Sequence, residues 1–579
     1  MKLCRLLVLT AIISMAFALA LLAVRFPWPV LLGLIIWAFV EAKRKYTRLT
    51  TLGSARWADC DDLRRAGMLD AKTGLILGRI TDTRRNVWPA LKALFNPRVA
   101  SDVAVEEFLA LFRKKPAEAL VRLPKAVHTA VFAPTGVGKG VSCVIPFLQT
   151  CPESCVVIDF KGELAKLTGN HRREKFGHKV VILDPFRVVT QKPDSFNPLD
   201  CIDKDSPLAI DDCRDLAAAI VVRTGEEKEP QWNDSAEAWI AAMVACVVQY
   251  GEPGQRSLQT MRMLLSDPQK MQKAIELMCK SDAWEGMLSR MGHGLTRYVD
   301  RELGSTLTTT NRHLRFLDTI AVAQSTSKSS FDPAELRNGK TTVYLVLPPE
   351  HFRAQSGLLR LWIGSMLRAV VRGGLQEENK THFVLDEAAS LGHLEALDDA
   401  LDKYRGYGVR LQYYWQSMGQ LKKACPEGGD QTLLSNTTQI FFGCNDQQTA
   451  EYVSARLGEE TIVVDSGGSS NGMSRQESNG AAPGSTTYSW NQNSNWSQQA
   501  RKLLKPEEVA ALPQNVAITF TPGVPPICTR LIRYYEEPAL GEMPGFFQRA
   551  WKQIRTTAEC VTLLLTAVLM AGVVMQLLK

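Results

Sequence analysis

"VFAPTGVGKGVSCVIPF", residues 131–147, decides how the chain reads. A short apolar run ending at Ala133 turns through Gly136, Gly138 and Lys139 into a helix-like stretch. Strand, glycine loop, then helix is the context a phosphate-binding loop of the form G-x-x-x-x-G-K-[ST] requires. Glycines let backbone N–H groups turn inward around phosphate oxygens, the helix N-terminus adds its dipole, and a lysine neutralises the terminal phosphates. Two positions depart from the pattern. Ala133 stands where the first glycine belongs, which is tolerable if its φ stays negative. Gly140 stands where a Ser or Thr hydroxyl would reach magnesium. Magnesium keeps several waters, so a water can fill that position. The competing reading is an ordinary glycine-rich turn.

A second stretch tips the balance. "HFVLDEAASLG" (382–392) is an apolar strand ending in Asp386-Glu387. In phosphate-loop enzymes such an Asp holds the magnesium, and the adjacent Glu orients and deprotonates the attacking water. A helix N-cap is the bland alternative for either residue. Two such motifs in order, each at the end of an apolar strand, favour nucleotide hydrolysis.

Around them, short β-branched runs alternate with helical stretches, as in parallel-sheet proteins. "TAVFA" (129–133), "CVVIDF" (155–160), "KVVILD" (179–184), "TVYLVL" (342–347), "HFVLDE" (382–387), "VRLQYYWQ" (409–416) and "QIFFGC" (439–444) are strand candidates, with "AITFTPG" and "CTRLIRYY" following late. Residues 206–325 break the alternation. "AIDDCRDLAAAIV" and "SAEAWIAAMVACVVQY" carry helical periodicity, which predicts an all-α insertion. Residues 466–500 are rich in Ser, Gly and Asn and nearly free of aliphatics, which predicts a flexible surface loop.

The 579 residues are 45% hydrophobic and 22% charged, a globular composition with room for several domains. A net charge of +8 suits nucleic acid or an anionic membrane face without proving either. The 13 cysteines are scattered. Cys151 and Cys155 are the closest pair, with no second pair or His cluster at zinc spacing, and read as reduced core residues of a cytosolic region. Uncharged runs from Leu6 to Val24 and from Val30 to Val40 have Lys2 and Arg5 before them and "AKRKYTR" (42–48) after. About 20 apolar residues span a bilayer, and flanking positive charge stays cytoplasmic, so the pair predicts a membrane hairpin with both flanks inside. A cleaved signal peptide followed by a stop-transfer run is the alternative. A third uncharged run, Cys560 to Leu578, follows Arg549, Lys552 and Arg555 and is a candidate C-terminal span.

"LGSARWA" (52–58), "APTGVGKGVSCVIPFL" (133–148), "VVIDFKGEL" (156–164), "LDPF" with "FNPLD" (183–200), "LDEAASLGHL" (385–394) and "YGVRLQYYWQSMGQL" (407–421) resemble, in order, the motifs of the type IV secretion coupling ATPases, the TraG/TraD family. Many members carry glycine after the loop lysine, so Gly140 is a family habit. The resemblance implies an α/β, RecA/FtsK-like P-loop NTPase core with an inserted all-α domain and an N-terminal transmembrane hairpin, in the inner (cell) membrane of a bacterium, with the ATPase core in the cytoplasm. It implies ATP and Mg2+, a homohexameric ring, and partners among the secretion channel components and a relaxase–DNA complex or protein effectors.

On this reading the divisions are 1–45 (hairpin), 46–125 (membrane-proximal linker), 126–205, 326–465 and 501–545 (nucleotide-binding domain), 206–325 (all-α), 466–500 (loop) and 556–579 (candidate C-terminal helix). Carried over residue by residue, Pro134, Thr135, Gly136, Val137, Gly138, Lys139, Gly140 and Val141 bind nucleotide. Asp386 holds the metal, Glu387 is the base, and Gln416 is the γ-phosphate sensor. Arg405 is an arginine finger, with Arg410 as its competitor. The resemblance includes "DFKGE" (159–163) but assigns it no chemistry. Two further functions compete: an FtsK-like DNA translocase, and an ATP-binding adaptor that recruits substrates with little hydrolysis. The basic stretch 170–179, "NHRREKFGHK", is a candidate for DNA phosphate contacts or a solvated charge run.

Overall fold

The computed structural model describes residues 50–536, apart from 70, 82–102, 104–105, 108–117, 126, 224–228, 377, 426–427 and 477–484. The runs expected to span a membrane lie outside the described residues. Among those described, no helix is long and apolar enough to cross one. Two compact units emerge. One joins Leu457–Leu503 to the stretch ending at Arg56, and the other holds the rest of the described chain.

The larger unit is built on an eleven-stranded sheet. Its strands are β1 (Leu75–Thr81), β2 (Glu118–Leu123), β3 (Thr129–Phe132), β4 (Ser154–Asp159), β5 (Lys179–Leu183), β6 (Thr341–Val346), β7 (Thr381–Leu385), β8 (Val409–Trp415), β9 (Thr438–Phe442), β12 (Val516–Phe520) and β13 (Ile527–Arg530), with β10 (Glu459–Gln476) and β11 (Ser485–Lys502) in the smaller unit. The order is β2-β1-β13-β12-β9-β3-β8-β7-β4-β6-β5. From β9 to β5 every pairing is parallel, and from β9 to β2 every pairing is antiparallel. Strands β3, β4 and β6 are buried at every position, the pattern of parallel strands covered on both faces. The helix Pro349–Arg372 buries Leu358, Leu361, Trp362 and Met366 fully. Phe132 of β3 stacks on Phe441 of β9 at 4.8 Å. The described chain between β5 and β6 holds seven α-helices, from Ala209–Ile220 to Ile320–Ser325, and no strand.

Three expectations change. Residues 46–125, read as a linker, contribute the helix Cys60–Arg65 and strands β1 and β2, which extend the antiparallel edge. The apolar run Leu75-Ile76-Leu77 that anchors β1 is too short to signal a strand without its partners. Of residues 466–500, read as a loop, 466–476 and 485–500 belong to an antiparallel ribbon, β10 (Glu459–Gln476) and β11 (Ser485–Lys502), in continuous register from Glu459↔Lys502 to Gln476↔Ser485, while 477–484 lie outside the described residues. Low aliphatic content argued against a core. It does not prevent pairing, because backbone hydrogen bonds hold a two-stranded ladder. Lastly, the basic run 170–179 divides, with Arg173, Lys175 and Lys179 exposed and two of its members buried. Arg172 is fully buried and His178 nearly so, and both are hydrogen-bonded internally.

Candidate functional site

Because β3, β4, β7 and β8 are parallel, their C-terminal ends share one edge of the sheet, where ligands of open α/β sheets bind. The residues that follow them line one cavity of about 730 Å³, walled by Pro134, Thr135, Gly136, Gly138 to Val141, Asp159, Lys161, Phe352, Asp386, Glu387, Gln416, Arg533 and Tyr535. The strand order puts β8 between β3 and β7. Gln416 therefore emerges between the glycine loop and Asp386-Glu387.

The loop has the backbone its glycines permit. Gly136 and Gly138 have φ of +87° and +98°, where other residues are strained. Ala133 is fully buried, keeps a negative φ, and donates its N–H to the Trp415 carbonyl at 3.0 Å. The condition for its replacing glycine is met. At Gly140 an added Cβ would meet nothing within 4 Å, so its lack of a side chain is not a packing requirement. The helix begins there with a π-helical turn, Gly140–Val144, a local widening found often at functional sites.

Lys139 extends into the cavity. Its Nζ is buried, has no hydrogen-bond partner, and lies 3.9 Å from a Glu387 carboxylate oxygen. An ammonium with three donors and no acceptor is costly to bury, which makes this an anion site in waiting. A nucleotide's phosphates fit it. Asp386 is partly buried. Burial pushes its carboxyl up to about 6, with Glu387 and Asp159 adding like charge, against the pull of Lys139. A divalent cation would displace that proton and offset the burial cost.

Glu387 stands at φ +64°, ψ +51°, a left-handed conformation that a non-glycine residue adopts at a cost. Its Oε1 accepts from the Gln416 amide and, at 3.5 Å, from Gln420. Gln420 also accepts the Gln416 backbone N–H at 2.7 Å. Two amides thus orient the carboxylate.

The "DFKGE" motif acquires a physical role. Asp159 caps the helix Glu163–Phe176, accepting from Ala165 N–H at 2.8 Å, and Phe160 packs on Phe352 at 4.3 Å. The motif builds the cavity wall.

Arg405 and Arg410 are not in this cavity. They flank the opposite, N-terminal end of β8, a strand of seven residues, roughly 20 Å away. Arg405 is exposed and borders a second cavity of about 500 Å³. Arg410 is committed to its own chain, donating to the carbonyls of Arg405 and Val409 at 3.0 and 2.8 Å. The arginine that does reach the cavity was missed: Arg533, from the C-terminal side of β13, donates to the Val137 carbonyl at 3.2 Å. Its only sequence signal was the run "CTRLIRYY", read as a strand.

The chain is 29% identical over 432 residues to "Protein VirD4" of Agrobacterium fabrum, covering 71% of this chain and 59% of that protein. It is 29% identical over 414 residues to "Conjugal transfer protein TraG" of Rhizobium radiobacter, covering 70% and 62%. The chain therefore spans about three fifths of the length of these curated relatives. A solved structure titled as plasmid coupling protein TrwB in complex with the non-hydrolysable ATP analogue ADPNP superposes with a TM-score of 0.57 at 16% identity, over 84% of this chain and 95% of that one. That likeness shows a shared fold. The family described as "Type IV secretory system Conjugative DNA transfer" matches residues 56–561, most of the chain, and the chain belongs to that family.

Proposed function

We propose that this chain is a membrane-anchored ATPase that couples relaxase–DNA or protein effector substrates to a type IV secretion channel and drives their transfer by ATP hydrolysis. The observation that carries the reading is the convergence of the buried Lys139 Nζ, which makes no hydrogen bond, with Glu387 and Gln416 beside Asp386 in one cavity. Relatives titled as a conjugal transfer protein and as a type IV secretion system-coupling protein support the substrate class, and coupling protein TrwB, solved with ADPNP and with ADP and Mg2+, supports the ligands.

In this mechanism the backbone from Pro134 to Val141 cradles the phosphates and Lys139 neutralises them. Asp386 would hold magnesium, which when bound supplies charge neutralisation at the phosphate oxygens. Glu387, fixed by Gln416 and Gln420, takes the proton of the attacking water, and Gln416 is near enough to sense the terminal phosphate. Arg405, on the far edge of its own sheet, serves a neighbouring subunit's cavity in a homohexamer. Residues 1–45 and 556–579 anchor the chain in the inner membrane with the ATPase core in the cytoplasm, and 206–325 form the all-α domain.

The decisive experiment measures ATP turnover and ATP binding separately in the full-length chain, with and without DNA. Lys139→Ala should lose both. Glu387→Gln should lose turnover by about 10²–10⁴-fold while still binding. Binding without DNA-stimulated turnover in the unmodified chain would instead favour the recruiting adaptor.

A further inference from the structure

Beneath the nucleotide cavity, at the opposite end of β4 and β7, lies a group of side chains that the ATPase reading does not use. Cys151 closes the C-terminal end of the helix that follows the glycine loop, Glu153 precedes β4, and His382 lies in β7. Their ligand atoms all fall within 4.8 Å of one another. Sequence spacing could not reveal this, because His382 lies 229 positions beyond Glu153, and the parallel register that sets it against Cys155 brings it there.

The three are arranged as metal ligands are. His382 Nε2 bonds a Glu153 carboxylate oxygen at 2.7 Å, while its Nδ1 is buried with no partner. Cys151 is a buried free thiol. The segment that carries Cys151 and Glu153 is held from below by the fully buried Arg172, which donates to the carbonyls of Leu148, Cys151 and Glu153 at 2.6–2.9 Å, and by His178, which bonds the Pro152 carbonyl at 2.9 Å. Arg172 spends its remaining donors on Thr342 and His178. The clamp thus fixes the backbone without engaging the Cys151 thiol, which hydrogen-bonds Cys155, or the Glu153 carboxylate, which meets His382, the outer support that orders ligands before a metal arrives. A cavity of about 190 Å³ reaches all three side chains and provides an entry path.

We propose that Cys151, Glu153 and His382 form a second metal site, separate from the magnesium position, that takes a borderline-soft divalent cation of the zinc class with its fourth position facing the cavity. One thiolate, one imidazole and one carboxylate are ligands zinc accepts, in a set of three that leaves one position open. Lys125 and Arg410 line the same cavity, so a hard cation held only by Coulomb attraction is disfavoured, and thiolate and imidazole select the softer ion. Bound there, the metal would tie the end of the phosphate-loop helix to the start of the strand that ends at Asp386.

The test uses the full-length chain, purified with reductant, loaded with zinc, freed of excess by gel filtration, and assayed by elemental analysis, with cobalt substitution as a spectroscopic readout. We expect about one zinc per chain and a thiolate-to-cobalt absorption band. The Lys139→Ala chain should retain both. Cys151→Ser and His382→Ala should lose the band. Glu153→Gln, a half-exposed change that leaves packing intact, should weaken zinc binding by about tenfold or more. Two results overturn the proposal: zinc content no higher than in the Cys151→Ser/His382→Ala chain, or equal affinity in the wild-type, His382→Ala and Glu153→Gln chains, which would assign the metal to thiols alone.

Discussion

Arg533 donates to the carbonyl of Val137 at 3.2 Å, joining the segment after the last strand of the sheet to the middle of the phosphate loop across 396 positions of sequence. A Cβ on Gly138 would overlap the guanidinium, so the loop and the arginine are fitted to each other. The cavity therefore holds an arginine of its own besides Lys139. Arg533→Ala should weaken nucleotide binding about tenfold, the value of one hydrogen bond to a charged group, and leave turnover at saturating ATP within a few-fold. Isothermal titration alongside steady-state kinetics separates the two. A fall confined to turnover would make Arg533 a transition-state residue.

Asp386 links pH to metal binding. Its carboxyl is pushed up to about 6, so below that value a proton competes for the oxygens magnesium needs. Magnesium-dependent nucleotide affinity should fall as pH drops through 6, while nucleotide binding in EDTA should not share that step. The effect on stability has the opposite direction. A carboxyl raised above its unfolded value favours folding when protonated, and that contribution is lost as pH rises through 6. Asp386→Asn should thus raise the melting temperature of the ligand-free chain at neutral pH by a few degrees, while removing the magnesium response.

Glu387 occupies a left-handed backbone conformation at φ +64°. Glycine adopts that conformation without a Cβ penalty, worth about 1 kcal/mol. Glu387→Gly should therefore be at least as stable as the parent in chemical denaturation, yet inactive. A loss of stability would show that the amide contacts of Gln416 and Gln420 outweigh the strain.

Gly140 has open space around it. Gly140→Ser should fold normally and bind magnesium-nucleotide as well as the parent or better, because the hydroxyl replaces a water without displacing a neighbour. Weaker binding would mean that the π-helical start of the helix needs glycine.

Arg405 is exposed on the edge away from its own cavity, whereas Arg410 is held by backbone carbonyls. Arg405→Ala should bind ATP without turning it over. Mixed with Lys139→Ala chains it should regain part of the activity, since the second chain lends its arginine to the first chain's intact cavity. Co-assembled mixtures that stay inactive at every ratio would exclude a finger acting between subunits.

The sequence by itself determined the elements whose signals are local. A glycine loop between strand and helix, an apolar strand ending in Asp386-Glu387, and helical periodicity through 206–325 each lie within one window, where backbone preference and burial leave a pattern. The tertiary structure alone decided what depends on strand order and register. Placing β8 between β3 and β7 brings Gln416 to Glu387. Pairing β4 with β7 brings His382 to Cys151 and Glu153. Running β13 antiparallel beside β12 and β1 returns the chain so that Arg533 meets Val137. The edge strands β1 and β2 were illegible because their partners lie tens of residues away, and the ribbon of β10 and β11, neighbours in sequence, because its Ser, Gly and Asn residues carry little alternation of apolar and polar positions.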